Sequence, residues 1–321
     1  MIRAGIIGGA GYTAGELLRI LLFHPEVTLA FVQSESHAGE GLWTAHQDLY
    51  GETELKFTAD APVEEADVIF LCGGHGKSRG FVAGLPASYG GKIVDLSQDF
   101  RLRADCDGFV YGLPEAFRSE IKGARKIANP GCFATCIQLA LLPLAKAGKI
   151  GEVSITGITG STGAGQKPSQ TTHFSWRSGN MSVYKPFTHQ HLHEIRETLH
   201  RLDSSWTGGL SFVPFRGCFP RGIIVSAFQD SDLSEEEARE LYHEYYKDEP
   251  FVEDVDFNPD MKMALGTNRG FVHVEKIEGK LLVVSVLDNL VKGASGQAVQ
   301  NMNLAFGLEE SLGLRLKSIR F

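Results

Sequence analysis

The chain has 321 residues, and 39 Asp and Glu against 31 Lys and Arg give it a formal net charge of −8. This acidic balance argues against nucleic acid or an anionic membrane as the main partner, and no apolar run approaches the length of a membrane span. The strand-like start leaves no room for a signal peptide, and five cysteines are too few for a disulfide framework, so a reducing, cytoplasmic setting is predicted.

Strand and helix patterns alternate through the first hundred residues. Apolar, strand-like runs cover 3–7, 27–32, 67–71 and 92–96. Strands that alternate with helical crossovers form parallel sheets with right-handed connections. We therefore predict an α/β domain built on a doubly wound, Rossmann-type parallel sheet.

The pattern changes after about residue 150, where strand-like runs follow one another with few helices between them. These runs cover 152–159, 210–215, 223–228, 271–275 and 281–287. A capping box of Ser234 and Glu237 predicts a helix through Tyr245, and a last helical pattern covers 298–306. Many strands with few crossovers predict a second, α+β domain with a mainly antiparallel sheet.

A glycine-rich motif follows the first predicted strand. Gly9-Ala10-Gly11-Tyr12-Thr13-Ala14 fits G-x-G-x-x-G/A at the opening of a helix, where backbone N–H groups can hold a pyrophosphate. Glu35 ends the second strand and can accept hydrogen bonds from an adenosine ribose. The alternative is a glycine-rich turn without a ligand. The predicted dinucleotide site consists of Gly9, Ala10, Gly11, Tyr12, Thr13, Ser34, Glu35 and Ser36.

A candidate nucleophile follows a Pro-Gly turn. Asn129-Pro130-Gly131-Cys132 precedes an apolar stretch from Cys136 to Ala147 that predicts a helix. A thiol at a helix N-terminus has a lowered pKa and is a nucleophile as thiolate. The alternative is an inert buried cysteine, which is the role expected for Cys136.

A histidine-rich motif could supply the proton transfer that a cysteine nucleophile needs. It contains His189, His191 and His193, and imidazole titrates in the required range. On a strand these three side chains would share a face, which leaves metal binding as an alternative. No further ligand stands at a recognisable spacing, so no metal site is predicted.

Three loops carry further polar candidates. The loop at 161–165 could offer backbone N–H groups to an anion. Arg216 and Arg221 flank a Pro/Gly-rich turn, and one of them could hold a carboxylate or phosphate. For Arg216 the alternative of an exposed loop charge is favoured. Asn289 and Lys292 follow the last strand and could orient a ligand.

Several motifs together resemble the N-acetyl-γ-glutamyl-phosphate reductase family of arginine biosynthesis and the related amino-group-carrier enzyme of lysine biosynthesis. They occur in the family's order and span nearly the whole chain. They are Gly8-Gly9-Ala10-Gly11-Tyr12-Thr13-Ala14-Gly15-Glu16-Leu17, Val94-Asp95-Leu96-Ser97-Gln98-Asp99-Phe100-Arg101-Leu102, Asn129-Pro130-Gly131-Cys132, Val183-Tyr184-Lys185-Pro186 with His189-Gln190-His191 and Glu194, and Asp288-Asn289-Leu290-Val291-Lys292-Gly293.

The resemblance implies a role for individual residues. Cys132 would be the nucleophile, and the catalytic His and Glu would be His189 and Glu194, with His191 as the alternative imidazole. Asn289 would contact the cofactor. The expected substrate contacts are Ser161, His191 and Arg221. The family's motif is commonly His-Arg-His, whereas this chain has Gln190 in the middle, so a contact to a substrate anion is expected elsewhere.

The resemblance also implies the domain organisation and the cofactor. Residues 1–131 and 294–321 would form the dinucleotide-binding domain, and 132–293 the catalytic and oligomerisation domain of a homodimer or homotetramer. Family membership favours NADP(H). Glu35 departs from the basic residue of many members and favours NAD(H), because a carboxylate repels a 2′-phosphate.

The expected reaction is the NAD(P)H-dependent reduction of the small-molecule acyl phosphate N-acetyl-γ-glutamyl phosphate to N-acetylglutamate 5-semialdehyde. Phosphate would be released, and a thioester on Cys132 would be the intermediate. One alternative is an enzyme like aspartate-semialdehyde dehydrogenase. Another is a nucleotide-binding redox sensor that uses Cys132 and Cys136.

Overall fold

The computed structural model describes residues 1–320, which divide into two compact units. The first unit contains Met1–Gly131 and Ala294–Arg315, and the second contains Cys132–Gly293 and residues 316–320. Residues 316–320 had been predicted with the dinucleotide-binding domain. They group with the second unit because the Ser318 hydroxyl donates to the carbonyl of Lys262, and Arg320 lies 3.8 Å from Asp260.

A six-stranded, entirely parallel sheet forms the centre of the first unit, with strand order β2-β1-β3-β4-β6-β5. Its elements in chain order are β1 (Ile2–Ile7), α1 (Tyr12–Leu21), β2 (Val27–Gln33), β3 (Val68–Leu71), α2 (Ser78–Ala83), β4 (Lys92–Asp95), β5 (Val110–Tyr111), α3 (Pro114–Ile121) and β6 (Lys126–Ala128). The predicted Rossmann-type sheet is confirmed. The pattern analysis missed β5 and β6, because two or three residues are too few to show a period.

A seven-stranded mixed sheet forms the second unit, with strand order β11-β12-β13-β10-β7-β9-β8. Its elements are α4 (Cys132–Lys146), β7 (Val153–Thr159), α5 (Phe174–Arg177), β8 (Ser182–Val183), α6 (His191–Leu202), β9 (Leu210–Arg216), β10 (Ile223–Asp230), α7 (Glu235–Tyr246), β11 (Val252–Asp254), β12 (Gly270–Ile277) and β13 (Lys280–Leu287). Four strand pairs are antiparallel, and only β7–β9 and β11–β12 are parallel, so the prediction of a mainly antiparallel sheet is confirmed.

Helix α4 is the core of the second unit. Every residue from 133 to 145 is buried, as expected for a helix that is apolar on all sides. The hydroxyls of Tyr242 and Tyr246 on α7 each donate to an α4 carbonyl at 2.5 Å, those of Ala140 and Leu139 respectively. This packing fixes the helix whose first residue is Cys132.

The last helix, α8 (Gly296–Phe306), returns the chain to the first unit. It packs on α1 and α3, and the Ser295 hydroxyl donates to the carbonyl of Thr13 at 2.7 Å. Within residues 1–320, none of the helices combines the length and apolarity of a membrane-spanning segment.

Candidate active site

The glycine-rich turn between β1 and α1 depends on missing side chains. Gly8 has φ +77°, and a Cβ there would lie 2.7 Å from the Cα of Gly73. A Cβ on Gly9 would lie 2.3 Å from Cγ1 of Val32, so this turn can pack on β2 only as glycine. Gly11 precedes α1 and has room for a side chain, because the nearest atom to a Cβ there, the carbonyl oxygen of Gly8, would be 3.8 Å away. This shape fits the backbone approach that a dinucleotide pyrophosphate requires, with Ala10 inside the turn and Tyr12 and Thr13 opening the helix.

The segment after β2 supplies polar groups for the other half of a dinucleotide. Glu35 is exposed, and Ser34 is buried with its Oγ 3.3 Å from Oγ of Ser36. Oγ of Ser36 lies 2.9 Å from Nδ1 of His37. The predicted residues at this strand end therefore lie together at the carboxyl edge of the sheet, where ligands bind in open α/β folds.

His46, which no sequence motif marks, supports the glycine turn. It is buried, its Nε2 lies 2.7 Å from the carbonyl oxygen of Gly9, and a Cβ on Gly15 would come within 2.7 Å of its Nδ1. A lone histidine 31 residues beyond Gly15 gives no pattern signal, so only the structure could show this role.

Cys132 is the first residue of α4 and is half-buried. The strand and turn that precede it are fixed within the first unit: the N–H of Asn129 donates to Asp95 O at 2.8 Å, and its carbonyl accepts from Nε of Arg101 at 2.8 Å. The predicted placement of this thiol at a helix N-terminus is confirmed.

Cys136 contrasts with Cys132 one helical turn earlier. It is fully buried, its thiol lies 3.3 Å from the carbonyl of Ser285, and burial raises its pKa to about 12. This is the inert cysteine that the sequence predicts. None of the five cysteines forms a disulfide.

His189 lies in an aromatic cage beside α4. Its ring contacts those of Phe133, Tyr184 and Phe212 at centroid distances of 5.7, 5.6 and 5.6 Å. Burial, together with the charges of Lys185 and Arg216, lowers its pKa to about 4. His189 is therefore a neutral imidazole near pH 7 in the ligand-free protein.

The predicted acid/base residues form a row. His191 is the first residue of α6, and its backbone N–H donates to Nδ1 of His189 at 3.3 Å. The two imidazole centroids are 4.6 Å apart, and Nε2 of His191 lies 3.9 Å from Oε1 of Glu194. Glu194 thus lies beside His191. Because Nδ1 of His189 accepts, the neutral ring carries its proton on Nε2.

Tyr184 connects this row of residues with Cys132. In the sequence it is marked only as part of the Val183-Tyr184-Lys185-Pro186 motif. Burial raises its pKa, and the thiol charge of Cys132 acts in the same direction, which places the two side chains within electrostatic reach. The guanidinium of Arg216 stacks over the Tyr184 ring at 4.6 Å. Cys132, Tyr184, His189 and Arg216 are called the thiol cluster below.

Arg221, the predicted substrate-anion residue, is held by the protein itself. It makes a two-pronged ion pair with buried Asp288, with Nε–Oδ2 at 2.9 Å and Nη2–Oδ1 at 3.1 Å. Asn289 is engaged in the same way: its Oδ1 accepts from the N–H of Gly222 at 2.7 Å, and its Nδ2 donates to Oγ1 of Thr162 at 3.0 Å. Both residues order the loops at this sheet end.

The loop at 161–165 does not present the row of backbone donors that the sequence suggested. The N–H groups of Ser161 and Thr162 donate to the carbonyls of Phe219 and Pro220, and that of Gly165 donates within the loop. What remains for a ligand is the half-buried Ser161 itself. Across residues 1–320 no three His, Cys, Asp or Glu side chains gather in the manner of a metal site.

The two units match two parts of one enzyme class. Residues 3–124 match the model of the semialdehyde dehydrogenase NAD binding domain, and residues 132–289 match the semialdehyde dehydrogenase dimerisation domain. The fold and the thiol site therefore define a semialdehyde dehydrogenase with a nicotinamide-dinucleotide domain.

Full-length relatives identify the branch of that class. N-acetyl-gamma-glutamyl-phosphate reductases of Parabacteroides distasonis and Christiangramia forsetii are 52% and 54% identical to this chain, with 100% and 99% of each sequence covered. The chain belongs to the N-acetyl-gamma-glutamyl-phosphate reductase family, and the resemblance drawn from its motifs is confirmed.

Solved structures share the fold at low identity. Aspartate semialdehyde dehydrogenase II complexed with ASA from Vibrio cholerae has a TM-score of 0.73 at 16% identity, over 96% of this chain and 98% of that one. Aspartate semialdehyde dehydrogenase with NADP from Candida albicans has a TM-score of 0.72 at 14% identity, over 96% and 99%.

Proposed function

We propose that this chain catalyses the NAD(P)H-dependent reduction of N-acetyl-γ-glutamyl phosphate to N-acetylglutamate 5-semialdehyde with release of phosphate. The observation that carries the proposal is the half-buried Cys132 at the start of α4, whose next residue, Phe133, contacts the ring of the neutral His189 at 5.7 Å. The names of the full-length relatives supply the substrate.

The chemistry begins on the thiol. The Cys132 thiolate, stabilised by the N-terminus of α4, attacks the acyl carbon, and the C–O bond to phosphate breaks. A thioester remains on Cys132. When bound, NAD(P)H would supply the hydride for this acyl carbon. Hydride addition would leave an oxyanion on that carbon, whose electron pair re-forms the carbonyl as the C–S bond breaks, so that the aldehyde leaves and the Cys132 thiolate is regenerated.

His189 manages the proton at these steps. Its protonated Nε2 can donate a hydrogen bond to the developing oxyanion, and an incoming anion offsets the positive charges that depress its pKa. The backbone N–H of His191 donates to Nδ1 of His189 and orients that ring. Glu194 pairs with Nε2 of His191 and so orients the neighbouring imidazole. Ser161 and Asn289 complete the proposal as a substrate and a cofactor contact, respectively, and Arg221, paired with Asp288, orders the loop beside them.

The cofactor proposed is NADP(H), held by the Gly9–Thr13 turn. The Ser36 hydroxyl and His37 imidazole, 2.9 Å apart at the end of β2, offer donors to a 2′-phosphate. The exposed Glu35 favours the alternative, NAD(H), through a hydrogen bond to the ribose. Comparing kcat/KM for NADPH and NADH in the wild type and Glu35→Gln decides between the two.

The proposed assembly is a homo-oligomer through the face of the second sheet that the helices leave open. Residues that alternate with the buried ones on β7 and β10, among them Ile158, Ile224 and Phe228, lie on that face, and Phe228 is 39% exposed. The match to a dimerisation-domain model supports this reading. Sedimentation of Phe228→Glu against the wild type tests it, with a shift toward monomer expected.

One assay tests the activity. NADP⁺ reduction by N-acetylglutamate semialdehyde should require phosphate or arsenate. Faster turnover of aspartate semialdehyde would instead support the dehydrogenase alternative. Dinucleotide binding without any phosphate-dependent turnover would support the redox-sensor alternative.

A further inference from the structure

Three arginines lie near the ends of β8, β9 and β10, and the protein satisfies two of them internally. Arg177 is buried and donates to the carbonyls of Thr171 and Arg216, the shorter contact being 2.7 Å. The fork of Arg221 is occupied by Asp288. Neither guanidinium offers its paired donors to a ligand without giving up these contacts.

Arg216 is different. It is the last residue of β9, where its backbone pairs in register with Thr159 of β7 and Ser182 of β8. Its Nε is buried and has no hydrogen-bond acceptor among residues 1–320, and the guanidinium meets the Tyr184 side chain rather than a carboxylate or carbonyl fork. A buried guanidinium N–H without an acceptor is rare in folded proteins, which indicates an acceptor that arrives from outside.

The side chain of Arg216 also lies where the reaction takes place. Its guanidinium stacks on the Tyr184 ring at 4.6 Å, and Tyr184 lies against His189 at 5.6 Å. Tyr184 is within electrostatic reach of Cys132, and Arg216 is within that of His189. Stacking on an aromatic face fixes the plane of a guanidinium and leaves its edge to bind a planar or tetrahedral oxyanion.

We propose that Arg216 binds an oxyanion of the substrate, either the carboxylate or the phosphoryl group, and holds the acyl carbon at the thiol cluster. The inference rests on the proposed function for the identity of that substrate. It reverses the sequence-based expectation, in which Arg221 was the anion contact and Arg216 an exposed loop charge. It also supplies the anion contact that Gln190 leaves open in the histidine motif.

The test determines KM separately for each of the two substrates of the reverse reaction. Wild type, Arg216→Gln and Arg216→Lys are assayed for phosphate-dependent oxidation of N-acetylglutamate semialdehyde, with KM determined for the semialdehyde and for inorganic phosphate. Arg239→Gln is the matched control, because Arg239 pairs with Glu235 on the surface of α7, away from the thiol cluster residues in the chain. Circular dichroism melting confirms that each variant is folded.

Loss of a charged hydrogen-bond donor predicts a KM for one substrate that is roughly 10- to 100-fold higher in Arg216→Gln. The KM of Arg216→Lys should lie between those of Arg216→Gln and the wild type, because lysine keeps the positive charge and loses the paired N–H donors of the guanidinium. A rise for the semialdehyde alone assigns Arg216 to the carboxylate, and a rise for phosphate alone assigns it to the phosphoryl group. KM values within twofold of wild type for both substrates, in a folded variant, would overturn the proposal.

A binding measurement separates this inference from the proposed function. Calorimetry with N-acetylglutamate and with inorganic phosphate as probes compares wild type and Arg216→Gln without turnover. Weaker binding of one probe by Arg216→Gln supports the anion site even if the wild type proves inactive in the assay. Equal binding of both probes by the two proteins contradicts it. If Arg216→Gln does not fold, Arg216→Lys is used in both experiments.

Discussion

The glycine turn of the first unit and the thiol cluster of the second are built by opposite means. The turn is contiguous in sequence, and its shape comes from absent side chains, as the close approaches at Gly8 and Gly9 show. The thiol cluster is assembled from side chains of α4, β9 and the segment before α6. A local backbone shape can be read from a motif, whereas a cluster drawn from distant segments requires the fold.

The difference also concerns electrostatics. The turn presents backbone donors, which carry no titratable charge. At the thiol cluster, burial lowers the pKa of His189, and the charges of the neighbouring Lys185 and of Arg216 add to that effect.

Replacing the nucleophile should have the largest effect. Cys132→Ser leaves a weaker nucleophile and a poorer leaving group, so kcat for phosphate-dependent oxidation should fall on the order of 10⁴-fold. Cys136→Ala is the control, because its thiol is buried and bonded to Ser285. Equal losses of kcat in the two variants would contradict the assignment of Cys132, and not Cys136, as the nucleophile.

The next largest effects are expected for the two histidines, whose substitution should lower kcat by different factors. His189→Asn should lower kcat by roughly 10²- to 10³-fold, within the usual range for a lost acid/base group. His191→Asn should lower kcat by about tenfold, since the variant keeps the backbone N–H that donates to His189 and loses only the ring contact. Steady-state kinetics of both variants decides the assignment, and the reverse order would make His191 the acid/base residue.

Gly293 shows that the thiol cluster also depends on one missing side chain. A Cβ at this position would lie 2.8 Å from Cβ of Cys132. Gly293→Ala should shift the nucleophile, lowering kcat by about 10- to 100-fold and the free energy of unfolding by roughly 1–3 kcal/mol. Gly209→Ala is the matched control, because the nearest atom to its Cβ would be 3.8 Å away. An unchanged kcat for Gly293→Ala would show that the helix end tolerates the added methyl.

A substitution in the glycine turn should weaken binding of the dinucleotide more than it lowers kcat. Gly9→Ala places a Cβ 2.3 Å from Val32, so the turn must move away from β2. We expect the Kd for the dinucleotide to rise about tenfold, measured by quenching of protein fluorescence, with a small change in saturated kcat. A loss confined to kcat would contradict the assignment of this turn to cofactor binding.

The smallest expected effect is on acid stability. His189 has a pKa of about 4 in the folded protein and about 6.5 when unfolded, so the unfolded chain binds more protons between these values. Stability from this group is therefore present above pH 6.5 and declines as the pH falls toward 4, by roughly 1–3 kcal/mol. Urea unfolding at several pH values should show a shallower decline in His189→Asn. NMR of the His189 ring that titrates near pH 6.5 would contradict the account.

Sequence patterns predicted both sheets because long strands and capping boxes carry local signals, as with Ser234 and Glu237. They placed Cys132 at a helix start because Pro and Gly precede it. They assigned the anion contact to Arg221, whose partner Asp288 is 67 residues away, and they discounted Arg216, whose neighbours come from another strand. Pairings between distant segments leave no trace in local pattern, which is also why the support from His46 was missed.

The central claim is that the acyl group is carried by Cys132, and trapping that intermediate tests it most directly. The enzyme is mixed with acyl phosphate in the absence of cofactor, quenched in acid, digested and analysed by mass spectrometry. The account predicts one acyl group on the peptide containing Cys132, attached to that sulfur and absent in Cys132→Ser. Full reductase turnover with no acyl-enzyme, or an acyl group attached to Cys136 or another residue, would contradict it.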